Sequence, residues 1–508
     1  MNKKMTFINL AANLVALLLS IIINFFLTPF IVENIGQAAY GFIALANSMI
    51  TYITVVTLAI NSMANRFISI QIFKGNINKA NQYFSSVVIA NLLVSSLVIV
   101  VCVPLIINLD KFISIPVELH IDVKWLFSLI LINFIINLIS VIYTVGVFVK
   151  DKLYLNSIRS AQSVFLKGLA LVALFAVFDA KLLFVGIATL VATVFALLWN
   201  RYYTRKLTPF LKITVKDFKF LSIKELISSG IWNSINKLSS ILHDGLSLLI
   251  CNILIGPGPM GLMSIAKVVP SMVYNTLGSI TSVFSPNLTK NFAYSKPDAM
   301  VNTLNNSIKI MGTLLNVPIV VFIAFGREFF QLWVPSTDTD AIYIVAVLSI
   351  APLILSGSTA CIYDVFSITN KLKLQSLVVL AVACLDLALI LFTLKVTDFG
   401  IYAIVAIPCF TSYIKNLVFT FPYAAHCIGQ KWYIFYRPAF RSVFCVIVSF
   451  FTINSLKRFM DSSTWLEFFL SVAISSIICL IINALLIWNL NDYKKILDLF
   501  RDKYIAKN

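Results

Sequence analysis

Fourteen stretches of this sequence are apolar over about 20 residues or more, the length a helix needs to cross a hydrocarbon layer about 30 Å thick. They lie near 6–30, 39–62, 83–108, 123–147, 159–178, 182–200, 226–254, 261–284, 304–326, 341–366, 376–394, 400–420, 437–456 and 466–490. Charged residues make up only 12% of the 508, where a soluble chain carries about 25%. Barrel strands would alternate polar and apolar residues over about 10 positions, and these runs do not. The pattern predicts an all-α polytopic membrane protein of about 14 transmembrane helices. Its first run is too long for a secretion signal and no small-residue cleavage site follows, so it reads as a retained helix.

An even number of crossings puts both termini on one side. With the N-terminus inside, 26 Lys and Arg fall on cytoplasmic segments and 7 on the opposite face. That asymmetry predicts cytoplasmic termini. The formal charge of +18 is then mostly a topology signal rather than the footprint of a nucleic acid. The basic segment 201–224 also suits anionic lipid headgroups.

The runs repeat. Residues 35–48 read IGQAAYGFIALANS and residues 255–268 read IGPGPMGLMSIAKV, so Gly36, Gly41 and Ala46 recur 220 positions later as Gly256, Gly261 and Ala266. Each glycine pair falls at a reversal between helices, where a tight backbone and close helix approach favour glycine. Runs one to six pair with runs seven to twelve, and the last two are an addition. The expected domains are a six-helix lobe at 1–200, a basic linker at 201–225, a second six-helix lobe at 226–420, and two further helices with a basic tail at 421–508. Both halves enter the membrane in the same sense, which calls for an axis along the membrane normal and a central cleft between them.

Charges at membrane depth are costly, so they should face a cavity or a partner. Run seven is the most polar helix, with Asn233, Asn236, Lys237, Ser240, His243, Asp244 and Ser247 at spacings of three and four. A histidine beside a carboxylate can carry a proton near neutral pH, and the same pair could serve as an interhelical hydrogen bond. Lys167, Lys267, Asp364 and Asp386 are also deep. Lys309 and Lys415 can snorkel. Arg66 ends a polar stripe on run two. Lysines without matching carboxylates suggest a cavity of positive potential, suited to an anionic cargo.

No phosphate-binding loop or zinc-binding His-Glu-x-x-His is present. His120 and His426 fall in loops on opposite sides, which argues against a shared metal. No C-x-x-C pair occurs among the eight cysteines, which read as small buried hydrophobes.

The segment NFFLTPFIVENIGQAAYGFIALANSMITYITVVTLAINSMANRFIS, residues 24–69, resembles the opening two helices of the polysaccharide-type oligosaccharide flippases. These are the O-antigen and capsule repeat-unit translocases of the multidrug/oligosaccharidyl-lipid/polysaccharide exporter superfamily. The layout of 6+6+2 runs and the basic middle loop are compatible with it over essentially the whole chain. The resemblance implies a V-shaped, MATE-like transporter that moves undecaprenyl-pyrophosphate-linked oligosaccharide across the bacterial inner membrane for surface polysaccharide, lipopolysaccharide or capsule, synthesis. It implies that the polyprenyl tail stays in lipid while a cationic lumen receives pyrophosphate and sugar. Arg66, Lys167, Lys237 and Lys267 are then the substrate-binding candidates. His243, Asp244, Asp364 and Asp386 are the candidates for coupling to H+ or Na+. Relatives often carry arginine in the lumen, and no mid-span arginine stands here. The expected partners are the lipid-linked oligosaccharide, membrane lipids and the polysaccharide polymerase and chain-length machinery, with the chain acting as a monomer and without a cofactor, metal or nucleic acid.

Two other classes fit parts of the sequence. A cation-coupled drug or metabolite antiporter of the same superfamily would share the architecture and differ in cavity charge. A membrane ligase or polymerase acting on lipid-linked sugars would need a sizeable outer loop, and the outer loops here run to about a dozen residues.

Overall fold

The structure, a computed structural model, describes residues 3–294 and 297–488, without the side chains of some helical residues. Among the described residues every regular element is helical. They fall into two compact units, residues 1–265 and 266–508.

The first unit contains α1 (Lys3–Ile35), α2 (Gln37–Phe73), α3 (Ile77–Ile107), α4 (His120–Ser140), α5 (Tyr154–Val177), α6 (Leu182–Leu207), α7 (Phe220–Ser240), α8 (Ser247–Leu254) and nearly all of α9 (Pro257–Ala266). Gly36 ends α1 and starts α2 at φ +87°, a region closed to most side chains. Asn76 starts α3 by accepting the Lys79 amide at 3.0 Å, which satisfies one of the orphan donors of a helix start. α2 has 37 residues, about 55 Å at 1.5 Å per residue, so its ends project well past the hydrocarbon. The core beneath it holds Ile60, Ile68, Tyr83, Phe84 and Leu226. Leu93, Leu97 and Val100 of α3 are 62%, 60% and 69% exposed. A stripe of that kind is stable only against acyl chains.

The second unit contains α10 (Val268–Ala293), α11 (Pro297–Trp333), α12 (Thr339–Ile350), α13 (Ile362–Ile368), α14 (Leu372–Val396), α15 (Ile401–Lys415), α16 (Phe421–Cys427), α17 (Tyr436–Lys457) and α18 (Trp465–Ile487). α12 is capped by Asp338, which accepts the Ala341 amide at 3.1 Å. α18 opens on a capping box between Thr464 and Glu467, the reciprocal arrangement that satisfies two orphan donors. Val320, Phe325, Phe468 and Cys479 belong to one core of α11, α17 and α18. All eight cysteines are free thiols.

Twelve helical segments among the described residues are long and apolar enough to span a membrane. Runs seven and eight of the sequence form helices too, but interrupted ones. Run seven becomes α7, a π-helical turn at Ile241–Gly245 and α8. Run eight breaks at Lys267 between α9 and α10. Pro270, in the first turn of α10, has no amide to continue the ladder and clashes with the turn before it, while the Asn and Ser residues of run seven compete for backbone groups.

The packing boundary at 265/266 falls beyond run seven. That run therefore packs with the first unit, against α2. Sequence repetition reports a pattern along the chain, while packing reports which faces are complementary. The two partitions answer different physical questions.

Candidate functional site

In the first unit, α7 lies against α2 through small and polar residues. A Cβ on Gly230 would collide with the Ala59 carbonyl, so only glycine permits this approach. Ser234 Oγ donates to the Val55 carbonyl at 2.8 Å and Asn233 Nδ2 to Ser62 Oγ at 3.1 Å. Tyr52 Oη donates to the Gly245 carbonyl inside the π turn at 2.6 Å. Lys237 is half-buried on α7 between the two ends of this seam. His243 and Asp244 occupy the π turn, and their side chains lie outside the described residues. A π turn carries one extra residue per turn, so positions after Ile241 are rotated from the face that even spacing assigns them. Such turns recur at functional sites.

α5 carries a second polar stripe: Asn156, Arg159, Ser163 and Lys167 are separated by three, four and four residues, hence on one face. Arg159 Nη1 donates to Asn200 Oδ1 of α6, and Asn200 Nδ2 to Ser140 Oγ at 2.9 Å. Among the described residues, Asn156 Oδ1, Arg159 Nε and Ser163 Oγ are buried without a hydrogen-bond partner. Three adjacent unsatisfied groups on one stripe mark a place where water or a ligand belongs. Lys167 is half-buried, one residue before Gly168, whose Cβ would lie 3.3 Å from Ile23 of α1. The spacing of this stripe is present in the sequence, where only Lys167 stands out as a deep charge.

Arg66 is exposed on α2. The residue before it, Asn65, donates Nδ2 to Thr144 Oγ1 at 3.0 Å, and one turn further back Asn61 and Asn91 exchange amide hydrogen bonds at 3.2 and 3.0 Å. This network pins the α2 stripe to α3 and to the chain following α4.

In the second unit, Lys267 is half-buried at the break between α9 and α10. Asp364, half-buried on α13, takes a hydrogen bond from Ser285 of α10 and keeps its Oδ2 buried without one. Asp386 of α14 is fully buried and interacts electrostatically with Lys415 of α15. Tyr363, beside Asp364, donates its hydroxyl to Asn416 Oδ1, beside Lys415. Thr420 Oγ1 also donates to that oxygen, at 3.1 Å. Asn416–Thr420 is itself a π turn. The polar couple Tyr363–Asn416 therefore links the neighbourhoods of the two carboxylates, a connection that sequence spacing did not disclose. No group of three or more metal-ligating side chains occurs among the described residues.

No family model matches the chain. Over 466 residues, 90% of each chain, it is 26% identical to a relative described as the uncharacterized membrane protein EpsK of Bacillus subtilis (strain 168). Among solved structures, it is similar to the inward-facing conformation of a multidrug resistance MATE family transporter of the MOP superfamily. That match has a TM-score of 0.63 at 13% identity, over 82% of this chain and 94% of the other. It is also similar to a MOP superfamily transporter from Pyrococcus furiosus Vc1 (DSM3638), with a TM-score of 0.60 at 14% identity over 83% and 95% of the two chains. The chain is thus an all-helical, multi-pass membrane protein with the fold of the MATE transporters of the MOP superfamily.

Proposed function

We propose that the protein is a transporter of lipid-linked oligosaccharides, flipping undecaprenyl-pyrophosphate-linked repeat units from the cytoplasmic to the outer leaflet of the bacterial inner membrane. The observation that carries this reading is the pair Lys167 and Lys237. Each is half-buried, Lys167 on a helix long and apolar enough to span a membrane and Lys237 on α7, which packs against another such helix, α2, and among the described residues no carboxylate pairs with either. An ammonium group held at that depth favours an anionic cargo, and a pyrophosphate is one. Arg66 and Lys267 extend the same charge, with Arg66 in the exposed position an entering headgroup meets first. His243, Asp244, Asp364 and Asp386 are assigned to coupling by H+ or Na+. Both termini are cytoplasmic in this reading, the unit of function is a monomer, and the polymerase and chain-length machinery receive its product.

The likeness to structures described as multidrug resistance MATE transporters supports a second reading, antiport of cationic compounds. The related structure from Pyrococcus furiosus is described as having a reverse polarity of its binding pocket that suggests a different function, so pocket charge can vary within this fold. Cavity charge separates the two readings here. A strain lacking the protein should accumulate lipid-linked oligosaccharide on the cytoplasmic side of the membrane. Lys167→Ala, Lys237→Ala and Lys267→Ala should each fail to restore surface polymer while still reaching the membrane. Normal polymer together with altered resistance to cationic compounds would instead establish the antiporter.

A further inference from the structure

The second unit holds a cavity of about 520 Å³ that none of the candidate cargo or coupling residues lines. One wall is a single face of α11: Asn302, Asn305, Asn306 and Lys309 stand at positions i, i+3, i+4 and i+7. The facing wall is the first turns of α17, with Arg437 and Arg441 one turn apart. Ile308, Ile434 and Ile487 close the sides. No carboxylate occurs among the described lining residues. Three cations and three carboxamides thus converge on a space of ordinary ligand-pocket size.

The walls are built rather than incidental. At the inner end of the cavity α11 and α17 come into contact, where a Cβ on Gly312 would lie 2.8 Å from Ser442 Oγ. Asn316 Nδ2 donates to the carbonyl and the hydroxyl of Ser442, both at 3.2 Å. α18 is tied to the same place. Asn483 Nδ2 donates to the Thr313 carbonyl at 3.3 Å, and Trp488 Nε1 to Thr313 Oγ1 at 2.9 Å. Arg441 Nε donates to the Leu486 carbonyl at 2.5 Å, which fixes the stem of its guanidinium.

Aromatic residues mark the depth of the mouth. Trp432, Tyr433 and Phe440 are 62%, 51% and 51% exposed. They join Tyr436 in a chain of ring contacts 5.7 to 6.2 Å apart. Exposed Trp and Tyr collect at the headgroup level of a bilayer, a level that would set these cations beside lipid phosphates. Basic pockets between membrane helices at that level suit anionic headgroups.

We propose that this cavity binds a phosphoryl anion at headgroup level, in a site separate from the lysines assigned to cargo. The Arg437 and Arg441 guanidinium groups match two oxygens of a phosphate as forks. Lys309 supplies a third charge, and the α11 carboxamides donate to the oxygens that remain. Ile434 and Ile487 lie beside the glycerol end of a lipid ligand.

The test uses the full-length protein in a neutral detergent and follows thermal unfolding. Phosphatidylglycerol, phosphatidylcholine, inorganic phosphate and pyrophosphate are titrated separately. Lys309→Gln/Arg437→Gln is compared with Lys431→Gln, which removes one charge at the same level outside the cavity. A lipid ligand gives stabilisation by phosphatidylglycerol but not phosphatidylcholine, with half-saturation weakened about tenfold or more in the double variant and unchanged in Lys431→Gln. A soluble ligand gives the same variant-sensitive response with phosphate or pyrophosphate alone. Either result supports the site. Responses to all four compounds that are the same in wild type and double variant overturn it. Arg437→Gln alone, at an exposed residue, carries the same comparison if the double variant does not fold.

Discussion

Gly41 and Gly261 meet face to face: a Cβ built on Gly41 would lie 2.8 Å from the Gly261 Cα. These glycines hold the same position in the two copies of the repeated pattern. Contact between an element and its own equivalent is the mark of a local two-fold relation, here between α2 and α9. Gln37 Nε2 reinforces it by donating to the Gly258 carbonyl at 2.8 Å. Both turns also use glycine backbones closed to most residues, with φ +87° at Gly36 and +135° at Gly256.

Gly261→Val should therefore destabilise the protein by about 1–3 kcal/mol, the usual cost of overpacking. Gly258→Ala, with nothing within 4 Å of its added Cβ, should be neutral or slightly stabilising. Thermal unfolding of the two purified variants checks the contrast. Equal melting points would show that the helices do not meet at this glycine.

Much of the fold was legible because a lipid environment imposes one simple rule, that backbone polar groups be satisfied within each helix. Long apolar runs, and the glycine turn at 36, followed from it directly. Interruptions did not follow. Hydropathy averages over a run, so it reported 226–254 as continuous and missed the π turn that rotates everything after Ile241. Helix facing was equally hidden. Lys309 read as a snorkelling lysine, yet it lines a cavity because Arg437 and Arg441 stand opposite on α17. That juxtaposition spans about 130 positions, and no local pattern carries it. Of Asn156, Arg159, Ser163 and Lys167 only Lys167 stands out in the sequence as a deep charge, and the unsatisfied buried atoms of the other three required coordinates.

Glu328 and Lys457 form an ion pair at 2.7 Å, with about a quarter of each side chain exposed. Lys457 Nζ also donates to the Ala324 carbonyl at 2.6 Å and sits 5.2 Å from the centre of the Phe325 ring. Lys457→Met leaves a largely buried carboxylate without its partner, so a loss of about 1–3 kcal/mol is expected. Glu328→Gln/Lys457→Met should recover part of it, because no lone charge remains. Melting temperatures of the three proteins decide. A double variant no more stable than the single one would contradict the pairing.

Asp110 lies in the loop after α3 and accepts from Lys124 Nζ at 2.8 Å. That hydrogen bond from the Lys124 ammonium holds its carboxyl below the usual carboxylate range. A carboxylate whose folded pKa is lowered adds stability above its unfolded pKa, and loses it as pH falls through the folded one. The exposed setting makes the effect small. Wild type should thus be slightly more stable than Asp110→Asn at neutral pH, with the difference vanishing in acid below the ordinary Asp range. A gap between the melting curves that stays constant down to pH 2 would show that the charge of Asp110 is not what matters.

The Asp386–Lys415 couple separates structural from functional roles in the second unit. Asp386 is fully buried and Lys415 is the charge it interacts with on α15. Asp386→Asn leaves an ammonium group at membrane depth with less compensation, and a loss of stability is expected. Asp386→Asn/Lys415→Met removes the second charge as well, and should return most of that stability. If the couple only holds α14 to α15, transport should return together with the melting temperature. If Asp386 carries the coupling ion, the double variant should melt near the wild-type temperature while ion-driven uptake in proteoliposomes stays at least about tenfold lower, since a neutral pair has no site for the ion. Reading both quantities on the same preparations makes the two roles distinguishable. Full recovery of ion-driven uptake would remove Asp386 from the coupling mechanism and leave Asp364 as its candidate in that unit.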